Sequence, residues 1–163
     1  MKNGVYLLLG SNLSDREKNL SDGRDSIQHI GSLLTVSSIY QTEAWGHREQ
    51  PDFLNQVVQI DFKKSPRELL GNILTIETKM GRVRTEKWGP RLIDIDILFW
   101  EDLIINEPDL TIPHPQLHLR RFTLLPLVEI APALIHPVLH KSCTQLLVEC
   151  PDGSAVNRYA STR

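Results

Sequence analysis

Ile93-Asp94-Ile95-Asp96-Ile97-Leu98-Phe99-Trp100 alternates apolar and acidic residues and then closes on three large apolar ones. A period of two marks a strand, because successive side chains of an extended chain point to opposite faces. The alternation puts Ile93, Ile95, Ile97 and Phe99 toward a core and Asp94, Asp96 and Leu98 on the other face. At about 3.3 Å rise per residue, the two carboxylates stand about 7 Å apart along the strand. Like charges held that close oppose each other unless a cation lies between them.

Upstream of this strand, Ser65-Pro66-Arg67-Glu68 is a helix start with a cap, a proline at the first position and a box glutamate. Leu69, Leu70, Ile73, Ile76 and Met80 follow at helical spacing, and Gly81 ends the helix. Phe53 to Phe62 and Leu33 to Gln41 read as strands, with a loop from Thr42 to Asp52 between them. Ser14 and Glu17 form a capping-box pair that opens a helix carrying Leu20, Ile27 and Ile30 toward Gly31. Val5 to Leu9 is a continuous apolar run, hence a buried strand, ended by Gly10-Ser11-Asn12. Downstream, Glu101-Asp102 is expected to turn the acidic strand into a short partner, Leu103 to Ile105. A helix bent at Pro126 is predicted from Leu117 to Ile130, and a Ser142-capped helix from there to about Cys150. The order β-α-β-β-α-β points to an α+β fold, a ferredoxin-like sandwich with an antiparallel sheet under helices and C-terminal additions. Residues 1–163 read as a single domain, with 151–163 expected to be loosely held.

A formal net charge of −2 gives no whole-molecule attraction for nucleic acid or an anionic membrane, so neither is expected as a partner. No apolar run approaches the ~20 residues of a membrane span, and no signal pattern follows Lys2, so a cytoplasmic protein is expected. Cys143 and Cys150 read as reduced structural thiols, and His47, His118, His136 and His140 show no metal-ligand spacing.

Chemistry concentrates around the acidic strand. Between Gly81 and Arg91, the cations Arg82, Arg84, Lys87 and Arg91 face one acid, Glu86. Cations beside metal-binding carboxylates suit a polyphosphate, whose charge exceeds what a magnesium ion neutralises. His114, between Pro113 and Pro115, is held in an extended segment suited to a fixed hydrogen bond, and Arg120-Arg121-Phe122 follows. No Walker A loop, GxGxxG or nucleophile elbow occurs, so nucleotide phosphates would be handled by arginines and an acidic strand.

These residues resemble the 6-hydroxymethyl-7,8-dihydropterin pyrophosphokinase family of the folate pathway. The likeness is carried by Gly10-Ser11-Asn12-Leu13, Gln50-Pro51-Asp52-Phe53-Leu54-Asn55, Glu77, Gly81-Arg82-Val83-Arg84, Trp88 to Leu98, Pro113-His114, Arg120, Phe122 and Pro126-Leu127. The resemblance implies transfer of the β,γ-pyrophosphate of ATP to a pterin hydroxymethyl group, with release of AMP. It implies that Asp94 and Asp96 ligate two magnesium ions and that the loop arginines Arg82 and Arg91 are catalytic with them. It implies ATP contacts at Glu77, Arg84, Trp88, Ile97, Thr111, His114 and Arg120. Phe53 and Phe122 would sandwich the pterin, Asn55 would read its edge, and Thr42 and Trp45 would supply backbone contacts. The physical chemistry agrees, since a flat heteroaromatic ring favours two apolar faces and an in-plane polar partner.

Phe53 stands where a familiar member has tyrosine, Leu74 where it has glutamine, and Glu43-Ala44-Trp45 replaces a proline-rich loop. Two other readings compete. Another magnesium-dependent nucleotide transferase or hydrolase would use the same strand but leave Phe53, Asn55 and Phe122 unexplained. An RNA-binding sheet would lack its aromatic signature here and would meet phosphate with two acids.

Overall fold

The computed structural model describes residues 4–42, 51–81 and 92–161. Its elements are β1 (Val5–Ser11), α1 (Arg16–Ile30), β2 (Ser32–Val36), β3 (Tyr40–Thr42), β4 (Phe53–Asp61), α2 (Pro66–Lys79) and β5 (Asp94–Trp100). These are followed by β6 (Ile105–Glu107), β7 (Leu110–Ile112), a 3-10 turn (Leu117–Leu119), α3 (Arg121–Ile130), α4 (Cys143–Glu149) and β8 (Val156–Arg158). The main sheet runs β5-β1-β4-β3-β8, with β2 also on β4, and every pairing in it is antiparallel. Among the described residues no helix is long and apolar enough to cross a membrane.

Both faces of the sheet are covered, because β1 is apolar at every position from Val5 to Leu9 and so has no side for water. Val5, Leu7 and Leu9 join Leu20 and Ile27 of α1 and Leu69, Ile73 and Ile76 of α2 in one core. Tyr6 and Leu8 join Leu124 and Leu127 of α3 and Cys143 and Leu146 of α4 in a second. In β5 the expected alternation holds through Ile97 and then breaks. Tyr6 pairs with Phe99 and Leu7 with Ile97, which leaves Leu98 as a bulge. Leu98 and Phe99 therefore both enter the second core, where Phe99 meets Tyr6 edge-on at 6.4 Å. The sequence alternation had put Phe99 with Ile97; the extra residue turns it to the opposite face.

Other departures from the sequence pattern also have identifiable physical causes. The strand expected from Leu33 to Gln41 divides into β2 and β3, because Ser37 takes over the ladder between them. Its Oγ accepts from the Val57 N–H at 3.0 Å and its own N–H donates to the Val57 carbonyl at 2.9 Å. Asp15, not Ser14, caps α1: its carboxylate accepts from the Lys18 N–H, a stronger cap beside a helix N-terminus, and Ser14 turns to φ 59°. The Glu101-Asp102 turn forms, but Leu103 and Ile104 do not fold back on β5. Instead Ile105 pairs with Ile112 of β7, and Arg67 at the start of α2 holds that hairpin through Asp109 at 2.9 Å and through Glu107. The expected Leu117–Ile130 helix breaks at Arg120, which is extended at φ −126°, while Pro126 lies inside α3. Ser65 and Ser142 cap α2 and α4 as read, the latter in a full capping box with Gln145.

The segment after Pro151 carries β8, which pairs Arg158, Asn157 and Val156 with Tyr40, Gln41 and Thr42. Glu129 of α3 anchors this corner, accepting from Ser38 N–H and Oγ and from the Tyr40 hydroxyl at 2.7 Å.

Beneath α3, His136 is buried, accepts from the N–H groups of Val138 and Leu139 at Nδ1, and meets Phe99 edge-on at 5.6 Å. Burial, with His118 and His140 nearby, pushes its pKa down to about 4. The folded state thus refuses a proton that the unfolded chain accepts near pH 6.5, so stability is full above that value and is lost as pH falls toward 4. Melting temperature between about pH 7 and pH 4.5 should fall more steeply in the parent than in His136→Gln. Parallel curves would count against a titrating role for His136.

Candidate active site

Strand register brings the candidate residues onto one face of the sheet, the face that carries the second core. Gly10 of β1 pairs with Asn55 of β4 on one side and Asp94 of β5 on the other. Tyr40 of β3 lies beyond Asn55, so Asp94, Gly10, Asn55 and Tyr40 form one row across four strands. Asp96 sits one step inward, opposite Leu8. Phe53, two residues before Asn55, shares its face and pairs with Thr42. Asp94 to Asn55 spans two strand spacings, roughly 10 Å. Asp94, Asp96 and Phe53 are partly exposed, whereas Asn55 and Thr42 are buried. Thr42 Oγ1 is buried with no hydrogen-bond partner among the described residues.

The bulge in β5 supplies the next piece. The Leu98 carbonyl accepts the His114 N–H at 2.9 Å, which pins the Pro113–Pro115 segment to the acidic strand. The His114 ring is partly buried, and its Nδ1 accepts from the Gln116 N–H at 3.1 Å, so Nε2 carries the proton of the neutral ring. Burial, then Arg120, push its pKa down to about 4 against the opposing pull of Asp94. The break at Arg120 has its own use. It puts Arg120 and Phe122 at the start of α3 with the guanidinium 5.7 Å from the ring centroid, and Phe122 packs against the second core.

Three residues named with the nucleotide lie away from this face. Glu77 of α2 is buried on the opposite side, where its carboxylate accepts the Ile95 N–H of the edge strand at 2.9 Å. The Ile97 side chain belongs to the first core, but by the same alternation as Ile95 its backbone groups point to the outer edge of β5. Thr111 sits in β7, its hydroxyl 3.5 Å from the Glu107 carbonyl. Arg82, Arg84, Trp88, Arg91 and Trp45 lie outside the described residues.

Sequence reasoning missed the residues that hold the site together. Asn12 Nδ2 donates to the Pro51 carbonyl, Arg16 to the Asp52 carbonyl at 2.8 Å, and Gln41 Nε2 to the Asp52 carboxylate at 3.0 Å. Together they fix the entry to β4 and hence the position of Phe53. The signal was present in Gly10-Ser11-Asn12, where a buried, polar strand end has no packing reason to exist. Among the described residues no group of three or more His, Cys, Asp or Glu could hold a metal ion.

The model of one family, 7,8-dihydro-6-hydroxymethylpterin-pyrophosphokinase (HPPK), matches residues 6–132. The chain belongs to this family. A 2-amino-4-hydroxy-6-hydroxymethyldihydropteridine pyrophosphokinase of Aquifex aeolicus is 41% identical over 137 residues, 84% of this chain and 86% of the relative. The Haemophilus influenzae protein of the same name is 40% identical, over 82% of this chain and 84% of its own length. The folic acid synthesis protein FOL1 of Dictyostelium discoideum is 39% identical over 95% of this chain, which spans 24% of that longer protein. Among solved structures, Plasmodium falciparum HPPK-DHPS with pteroate has the same fold, at a TM-score of 0.69 and 18% identity over 89% of this chain and 42% of that one. The family match covers β1 through α3 and hence every candidate residue above, whereas α4 and β8 fall outside it.

The His114 hydrogen bond makes a direct prediction. Nitrogen NMR of the metal-free protein at neutral pH should find the Nε2–H tautomer at His114; an Nδ1–H ring would mean that Gln116 does not hold it.

Proposed function

We propose that the chain transfers the β,γ-diphosphoryl group of ATP to the hydroxymethyl oxygen of 6-hydroxymethyl-7,8-dihydropterin, releasing AMP, as a step of folate synthesis. The observation that carries this reading is the row Asp94–Gly10–Asn55 across three adjacent strands. Its roughly 10 Å length suits a bicyclic ring whose amide edge meets Asn55 and whose hydroxymethyl arm reaches toward the carboxylates. Membership of the family and the names of relatives that this chain nearly spans support it. We read the sheet order as the ferredoxin-like split βαβ arrangement.

In this reading Phe53 and Phe122 clamp the pterin ring, Asn55 pairs with its amide edge through both a donor and an acceptor, and Thr42 supplies a backbone contact. Trp45 adds a contact from the neighbouring loop. The hydroxymethyl oxygen gives up its proton and bonds to the β-phosphorus as the bond from that phosphorus to the α-phosphate oxygen breaks. Asp94 and Asp96 would hold the two magnesium ions expected here, which would supply neutralisation of phosphate charge. His114 donates from Nε2 to a phosphate oxygen, and Arg120, stacked beside Phe122, links the nucleotide and pterin halves. Arg84, Trp88, Thr111 and the outer edge of β5 at Ile97 complete the nucleotide side, with Glu77 keeping that edge in place. Arg82 and Arg91 close on the phosphates near the transition state.

A magnesium-dependent AMP-release assay that requires the pterin tests the reaction; AMP release indifferent to pterin would make the chain a hydrolase. Asp94→Asn and Asp96→Asn should each lower kcat by about two orders of magnitude or more with the fold intact. Near-normal turnover of either variant at saturating magnesium would remove the ligand role. Phe122→Ala should weaken pterin binding by about 1–3 kcal/mol and leave ATP affinity nearly unchanged. Unaltered calorimetric binding would put the ring elsewhere.

A further inference from the structure

Gly10 lies in β1, an interior strand of the sheet, between the acidic pair and the amide that in the proposed reading meets the pterin edge. Glycine weakens a strand interior, both by the entropy it loses on folding and by the packing it omits. Three other glycines have structural reasons to be there. Gly4 and Gly81 take positive φ, and a Cβ on Gly31 would stand 2.9 Å from the backbone carbonyl of Asp61. None of these applies to Gly10. Its backbone is outside the left-handed region, and no backbone atom comes closer than 3.8 Å to where its Cβ would be, an ordinary contact with the Leu54 carbonyl. The one obstacle is Asn55 Oδ1, at 2.7 Å, with Asn55 Cγ next at 3.8 Å.

That distance is too short for any real Cβ, and the atom in the way is the end of a side chain. An alanine at position 10 would therefore keep the fold and move the amide. We infer that Gly10 is a positioning residue for substrate specificity: by omitting a side chain it lets the Asn55 amide lie across β1, aimed along the row toward Asp94. The Asn55 oxygen occupies the space that a side chain on β1 would take, so the amide is set by the strand beside it as well as by its own backbone. The inference rests on the reading of Asn55 as the group that pairs with the pterin edge. A bare glycine surface between Asn55 and Asp94 also leaves the span that the ring must cross unobstructed.

The test is a double-mutant cycle on the whole chain: parent, Gly10→Ala, Asn55→Ala and the double variant. Calorimetry would read 6-hydroxymethyl-7,8-dihydropterin affinity and, separately, affinity for a non-hydrolysable ATP analogue. Each single variant should lose about tenfold or more in pterin affinity, the size expected when an amide edge is left unpaired, with nucleotide affinity unchanged. The double variant should be no weaker than Asn55→Ala, because Gly10 acts only through that amide. If Asn55→Ala binds pterin normally, the reading of Asn55 fails and the inference with it. If Asn55→Ala is impaired but Gly10→Ala is not, or if the two losses multiply, the reading stands and the inference about Gly10 is overturned. Should Gly10→Ala melt the protein, the double variant must restore folding by removing the obstacle. A double variant that stays unfolded overturns the inference, since the strand itself would then demand glycine.

Discussion

β5 has to satisfy two incompatible demands, and one unpaired residue reconciles them. Its first half carries Asp94 and Asp96, partly exposed, on one face, while the same face two residues later must close over Tyr6, Leu124 and Leu127. A strict alternation would keep Phe99 with Ile97, in the first core, and leave the second core short of its largest fully buried side chain. The bulge at Leu98 changes the parity, so Leu98 and Phe99 both serve the second core while Ile93, Ile95 and Ile97 serve the first. The same irregularity frees the Leu98 carbonyl from β1, and that carbonyl holds His114. Core packing and site geometry thus depend on a single register shift, as is common where bulges lie beside functional sites.

Much of this was legible in the chain because it is written in short-range chemistry. The Ser65-Pro66 and Ser142–Gln145 caps, the apolar run of β1 and the acid–isoleucine alternation each depend on residues a few positions apart, and each forms as read. The misreadings came where a distant partner decides. Ser37 breaks a β-rich run only because Val57 lies opposite it, and the bulge at Leu98 is visible only against Tyr6 and Leu7. Residues 156–158 look like a small polar tail until β3 is beside them. Local propensity has no term for these pairings.

The same division runs through the candidate site. Asp94 and Asp96 were legible from residue type and spacing, and Phe53, Asn55 and Phe122 from the family resemblance; the strand register gathers the four strand residues on one face, and Phe122 of α3 packs against the core on that face. Their supports were not. Asn12, Arg16 and Gln41 act through hydrogen bonds to Pro51 and Asp52, and Glu77 through the edge of β5, none of which spacing along the chain reveals. Ser11 and Asn12 are buried polar groups at a strand end, and both are satisfied: Ser11 Oγ accepts from Asn19 Nδ2 at 3.2 Å, and Asn12 Nδ2 donates to the Pro51 carbonyl.

Two carboxylates on one face of one strand are a standing cost to the ligand-free fold, and the surrounding structure explains how it is tolerated. At about 7 Å apart and partly exposed, they repel through a medium that water still reaches, which keeps the cost small. The strand they ride on cannot yield to that repulsion. Its other face is fixed by Ile93, Ile95 and Ile97, its far end by Leu98 and Phe99, and its open edge by the Glu77 carboxylate on the Ile95 N–H. At the other end of the row, Asn12, Arg16 and Gln41 fix the strand end that carries Phe53 through their hydrogen bonds to Pro51 and Asp52.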